Sequence, residues 1–298
     1  MRSRLCTWLL IVVSISLTPA SAAAEKEFGA WWYDGKAELN GYRLTVSRYG
    51  ETRSGTSVMI YVTEPFSESG RVKVNDHTKN PEDTFGALKL NLVRDFQTGI
   101  YDYNTMVSTF VRDTSFEPVK VSFTSAEWCG HVYEELVFGQ HEVRGTYHSY
   151  FEGESGAVEL QYPQGGVAED NLFILLRGLR KDYLEPGESR SVDYLPGVFH
   201  SRLAHQELQW TRARIERAVE TVQVAVPAGG FDTVLYTIEI DGGRTGSFHI
   251  EASYPHRIVK WSLSPDIEGV LTGSTRLAYW GLNGEGQESH LDQIGLGQ

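Results

Sequence analysis

Cys129, His131 and His148 are residue types that bind metals or act as nucleophile and base, and they lie close together in the chain. Two alternating runs flank Gly139-Gln140, which matches a two-residue hairpin loop with glycine first, the type II′ pattern. That loop predicts a register in which facing residues have numbers summing to 279. Leu136 then faces Val143, Val132 faces Tyr147 and Trp128 faces Phe151, giving one apolar face. Glu135 faces Arg144, Tyr133 faces Thr146, His131 faces His148 and Cys129 faces Tyr150 on the other, with Glu127 and Glu152 beyond. A slip of one residue would mix Trp128 and Phe151 with the charges. A thiolate and two imidazoles so placed could hold zinc or copper, with Glu127 or Glu152 nearby. The same trio is also raw material for thiol catalysis. The plainer reading is the solvated side of a sheet, and the lack of a compact ligand motif favours it. Tyr133 and Tyr150 share this face and are candidate contacts for a ligand or partner.

Elsewhere chemistry is sparse. His200 and His205 flank Ser201-Arg202-Leu203-Ala204, a spacing that helical zinc pairs do not use, and His256 falls in a turn-like Tyr254-Pro255-His256-Arg257. Trp31-Trp32-Tyr33 could stack on a sugar or lid a pocket, although aromatic residues serve mainly in packing. Gly-x-Ser-x-Gly, His-Glu-x-x-His and Walker-type loops are missing, and Gly153-Glu154-Ser155-Gly156 has the wrong spacing for a nucleophile elbow. No motif names a reaction.

The elements that must position these residues read as strands. Residues 55–63, 118–123 and 233–238 are β-branched and aromatic runs of strand length. Turn chemistry separates such runs at Tyr49-Gly50, Phe138-Gly139-Gln140, Pro227-Ala228-Gly229-Gly230 and Asp241-Gly242-Gly243. The pattern predicts a dozen or so antiparallel strands. One segment differs: Glu169-Asp170-Asn171 leads into Leu172-Phe173-Ile174-Leu175-Leu176, with Gly178 after it. Acids at the start and glycine at the end predict a short helix near 170–179. It is apolar almost all round and so should plug into a core. A second short helix is expected at 82–88, after Pro81, and the glycine-rich residues 281–298 should fray.

The N-terminus reads as an export signal. Arg2 and Arg4 precede the apolar run Trp8–Val13, Ile15 and Leu17, Pro19 breaks it, and Ala20-Ser21-Ala22-Ala23-Ala24 follows. Cleavage after Ala22 or Ala24 fits equally. The apolar part is too short to span a bilayer, so no transmembrane segment is expected after cleavage. Removing residues 1–24 leaves 274, with 25 basic against 39 acidic side chains. No linker divides them, so 25–280 reads as one domain. The acidic balance argues against nucleic acid or an anionic membrane as partner. Cys6 leaves with the leader, so Cys129 has no disulfide partner within the chain.

Three segments carry a resemblance: residues 101–108 leading into Phe116-Glu117-Pro118-Val119-Lys120, residues 170–177 preceding Leu184-Glu185-Pro186-Gly187-Glu188, and residues 224–232. Together they resemble a bacterial family of exported β-rich proteins of unknown function, marked by a Pro-Ala-Gly-Thr-Phe-Asp turn and an Asp-x-Leu-x-x-Leu-x-x-Leu helix. Gly230 stands where that turn has threonine. The resemblance covers roughly residues 40–280. It implies a periplasmic antiparallel barrel or strongly curved sheet wrapped around its helix, and brings no catalytic residues. Some similar sequences carry a septum-formation-inhibitor (Maf) label, but the Ser-x-Ser-Pro-Arg phosphate loop of that group has no counterpart here.

The reading is therefore an all-β, mainly antiparallel, periplasmic or secreted protein that binds a hydrophobic or amphipathic ligand without catalysing a reaction. A partner-binding envelope scaffold is the alternative, with Trp31 and Trp32, or Tyr279 and Trp280, as its contact patch. An enzyme using Cys129, His131 and His148 is the third.

Overall fold

The computed structural model describes residues 19–265 and 267–297, with side chains from Ala22 onward. Most of the expected leader, residues 1–18, lies outside them. The described residues form one sheet of 15 strands. These are β1 (Ala37–Arg48), β2 (Glu51–Ser67), β3 (Thr84–Thr98), β4 (Tyr101–Arg112), β5 (Pro118–Glu127), β6 (Gly130–Phe138), β7 (Glu142–Ser149) and β8 (Gly156–Gln161) in the first half. The second half holds β9 (Val167–Ala168), β10 (Ser189–Leu195), β11 (Thr211–Val226), β12 (Gly229–Ile240), β13 (Arg244–Glu251), β14 (Ile258–Leu263) and β15 (Ile267–Leu277). β1–β8 form one antiparallel meander and β10–β15 another, with β9 added parallel to β10. β1 pairs with β15 in the middle, and β8 and β9 are left as the two edges. All pairings are antiparallel except β9 with β10.

The sheet is curved but not closed, so the barrel alternative is set aside. Only residues 162–166 join β8 to β9, and so short a link reaches at most about 20 Å. The two edges must therefore approach each other without pairing. The expected strands fall within β2, β5 and β12.

The interior of this curve holds α2 (Glu169–Leu175) and α3 (Val198–Ala204), and α1 (Pro19–Trp32) adds the buried side chains of Phe28 and Trp32. The expected helix near 170–179 is thus α2, shorter by a turn at its end because Gly178 takes φ +61°. Phe173 packs edge-on against Phe248 and Trp261, with centroids 5.2 and 5.1 Å away, and its carbonyl accepts a 2.9 Å hydrogen bond from Tyr61 Oη. The helix therefore bridges both halves of the sheet. Residues 82–88 do not form a helix. A single 3-10 turn, Pro81–Asp83, leads directly into β3.

Charges accompany the helices inside. Arg177, just beyond α2, is 1% exposed and pairs with Glu38 of β1 at 2.8 Å while lying 4.3 Å over the Tyr61 ring. Glu169 of α2 pairs with Arg244 of β13 at 2.9 Å, and Arg202 of α3 with Glu127 of β5 at 2.5 Å. Each pair ties a helical segment to a strand, and leaving either member alone in the interior would cost several kcal/mol.

The C-terminal residues expected to fray are docked instead. A 3-10 segment, Gln287–Ile294, lies on the outer face of β1 and β15, and Ile294 is buried there with Ala37, Leu39 and Val62. Gly41 and Gly273 face each other across β1 and β15. A Cβ on Gly41 would stand 2.1 Å from the Ile294 carbonyl oxygen, so the close approach requires glycine.

Candidate ligand-binding groove

The hairpin that carries Cys129, His131 and His148 forms, but two positions away from the expected register. Gly139 N donates to the Glu142 carbonyl at 2.8 Å, so Gln140 and His141 are the central turn residues. Partners in β6 and β7 sum to 281, with Leu136 opposite Gly145 and Val132 opposite Ser149. A shift of two keeps every side chain on its expected face but changes its neighbour. His148 faces Tyr133, and Tyr150 N donates to the His131 carbonyl at 3.1 Å, so the two histidines are diagonal. Cys129 leaves the face altogether. Glu127 pairs with Gly130, which puts Trp128 and Cys129 at the tip of the β5–β6 turn, and Trp128 is 65% exposed rather than buried against Phe151. Glu127 is committed to Arg202, and Glu152 is exposed. Among the described residues no three His, Cys, Asp or Glu side chains are gathered to hold an ion. The zinc or copper set Cys129, His131 and His148 is therefore not assembled. His131, Tyr133, His148 and Tyr150 do line one shallow depression of about 730 Å³ on the outside of the sheet.

A second recess, also of about 730 Å³, draws on six stretches of chain. Trp32 ends α1 and Tyr33 follows it, β2 contributes residues 62–65, and Lys73 and His77 come from the β2–β3 connection. β3 supplies Phe85 and Lys89, Asp113 follows β4, and Tyr279 and Trp280 form the 3-10 turn after β15. Trp32 is 1% exposed and forms the back wall. It donates Nε1–H to Tyr254 Oη at 2.9 Å and accepts from Thr63 Oγ1 through its carbonyl at 2.5 Å. The expectation that Trp31 and Trp32 form an exposed patch is therefore corrected: Trp32 is interior, and half-buried Trp31 packs against the core beneath the Arg276 guanidinium. Tyr33 and Trp280 stand open, 55% and 52% exposed. Tyr279 lies edge-on to Trp280 with centroids 5.5 Å apart.

The polar groups are fixed by their neighbours. Tyr33 Oη donates to Asp113 Oδ2 at 2.9 Å, and Arg180 Nε donates to the Asp113 carbonyl at 2.6 Å. A Cβ on Gly86 would lie 2.0 Å from Asp113 Oδ2, so glycine at 86 makes room for that carboxylate. Partial desolvation of the hydroxyl end, reinforced by Asp113, holds Tyr33 protonated well above the usual phenol range although its ring stands open, and burial raises the Asp113 carboxyl. Glu64 binds Lys89 at 3.1 Å and Lys73 at 3.7 Å. Lys36, Lys73 and Lys89 outnumber Glu64 and Asp113. The recess is thus locally cationic on a chain whose net charge is −12.

Sequence reasoning reached Tyr279 and Trp280 through their adjacent rings, but not Phe85, Lys73 or Lys89. Nothing in the local pattern distinguishes those three from ordinary residues of a strand and a loop.

No family model matches the chain, and no curated protein matches it either. Neither the resemblance to an exported family nor the septum-formation-inhibitor label gains support from these comparisons. A solved structure, a DUF1089 family protein from Pseudomonas aeruginosa, is similar at a TM-score of 0.34 and 12% identity, over 58% of this chain and 82% of that one.

Proposed function

We propose that this is an exported binding protein, with no reaction of its own, that holds an amphipathic ligand carrying an anionic head. The observation behind the reading is the groove in which Tyr33 and Trp280 offer open ring faces while Lys36 and Lys73 sit at the rim. Concave sites with aromatic walls and a few convergent polar groups are the usual form of small-molecule sites. An excess of lysine in a net acidic protein favours an anion there over a cation. The leader pattern supports a periplasmic or secreted location. Deleting residues 1–24 should then keep the chain in the cytoplasm.

Titration with dodecyl phosphate, read by intrinsic tryptophan fluorescence or calorimetry, tests the groove. Dodecyltrimethylammonium should bind more weakly. Trp280→Ala and Lys73→Glu should each weaken dodecyl phosphate by about tenfold, the equivalent of about 1.4 kcal/mol. Equal binding of both amphiphiles, or a Trp280→Ala variant that binds unchanged, would defeat the proposal.

A further inference from the structure

The unpaired edges of the sheet leave a cavity of about 620 Å³ where the 162–166 link passes the β6–β7 turn. Its apolar wall includes Phe116, Phe138, Tyr162, Leu175 and Tyr183. Leu175 is the one residue of α2 that is only half-buried, and this is the cavity it lines. Asn171, one turn earlier on the same helix, lines the cavity too and is 3% exposed. Its Nδ2 donates to the Phe116 carbonyl at 3.1 Å, which fixes the orientation of the amide because a carbonyl can only accept. Its Oδ1 is buried and has no partner. A buried acceptor in that state costs roughly 1–3 kcal/mol unless something donates to it.

The arginines at the cavity already have carboxylate partners. Arg71 and Arg112 share Glu68 at 3.0 and 2.6 Å, and Arg190 pairs with Glu188 at 2.7 Å. An anionic head would have to displace one of those carboxylates, and a cationic head would meet the arginines.

We propose that this seam is a second binding site, for a neutral molecule with an apolar body and one hydroxyl or amide N–H, whose donor is received by Asn171 Oδ1. The site is separate from the groove and does not depend on it. Its ligand class is set by one unpartnered acceptor beside an apolar wall, with the arginines of the opposite rim already paired, whereas the groove is set by aromatic rings and lysines.

The probe is 1-decanol, titrated by calorimetry into the delipidated full chain and, in parallel, into the Trp280→Ala variant. One decanol should bind per chain, with the same affinity in both proteins and about tenfold more tightly than decanoate or decyltrimethylammonium bind the variant. Asn171→Leu, which removes the acceptor, should weaken decanol about tenfold, the size of one lost hydrogen bond. Should Asn171→Leu fail to fold, Leu175→Trp takes its place, filling the cavity from a half-buried position and abolishing binding. Absence of saturable decanol binding, equal affinity for the charged analogues in the variant, or binding that survives Leu175→Trp would overturn the seam site. Loss of decanol binding in Trp280→Ala would assign it to the groove and overturn it equally.

Discussion

The outer face of the β6–β7 hairpin and the interior beneath α2 and α3 both bring ionisable side chains together, yet they are built in opposite ways. On the hairpin, His131 and His148 are exposed neighbours, supplied by strands adjacent in sequence, and among the described residues no third His, Cys, Asp or Glu joins them. Inside, Glu38, Glu127 and Glu169 each meet an arginine from a distant part of the chain, in surroundings that water hardly reaches. The outer cluster can be varied at little cost. The inner pairs fix how the helices sit in the curve. The lesson is that residue types suited to chemistry mark a site only when the tertiary structure also removes them from solvent and points them at one place.

The largest expected effect follows from breaking an inner pair. Arg177→Ala leaves Glu38 buried without its cation, and should cost about 3–5 kcal/mol in chemical denaturation. A loss under 1 kcal/mol would mean that the interior is wetter than its burial implies. Next comes the apolar side of the same helix. Ile174→Ala should cost about 2–5 kcal/mol, and Leu175→Ala clearly less, because Ile174 is buried whereas Leu175 is half-buried at the seam. Reversal of that order would place α2 differently against the sheet.

Interior carboxyls also give the comparison a pH signature. Burial, with help from Glu169, pushes the Asp170 carboxyl up to about 7, and burial, with help from Asp170, does the same to Glu134. In the unfolded chain both would titrate near 4. Between about pH 4.5 and 7 the native state therefore holds protons that the unfolded state has lost. Stability should fall as pH rises through that window, by at most about 1.4 kcal/mol per pH unit for each retained proton. Carboxyls held low by partners, such as Glu251 beside Arg257, act only below that range. Glu134→Gln should flatten the slope seen in denaturation midpoints. A slope unchanged by the substitution would show that other groups set it.

The smallest effect belongs to the hairpin. His131→Ala with His148→Ala should change stability by no more than about 0.5 kcal/mol, as expected for exposed positions. Protein prepared without a histidine tag should contain no stoichiometric zinc or copper by elemental analysis. Metal at one equivalent, lost in the double variant, would reinstate the outer face as a site.

Much of the fold was legible because strand alternation and turn chemistry are local. The runs 55–63, 118–123 and 233–238 fall inside strands, and the apolar stretch after Asp170 is helical and buried. The hairpin's faces were legible as well, since a two-residue shift preserves side-chain parity. Its exact pairing was not, because Gly139-Gln140 and Gln140-His141 are both admissible turns and only the closing hydrogen bond chooses between them. The segment after Pro81 misled for a similar reason: one turn of 3-10 helix satisfies the start signal, and pairing with β2 then draws the chain into a strand.

By itself the sequence determined a mainly β chain with an interior helix after Asp170, an acidic net charge, a single cysteine after residue 24 and a leader-like start. These follow from composition and short-range periodicity, which each residue carries wherever the chain goes. The tertiary structure alone decided that the curved sheet stops short of closing, and that the C-terminal residues dock on a pair of facing glycines. It also decided that Arg177 finds Glu38, and that Tyr33, Phe85 and Trp280 share one groove. Such features depend on contacts between residues far apart in the chain, and no local pattern encodes which distant partner a side chain will meet.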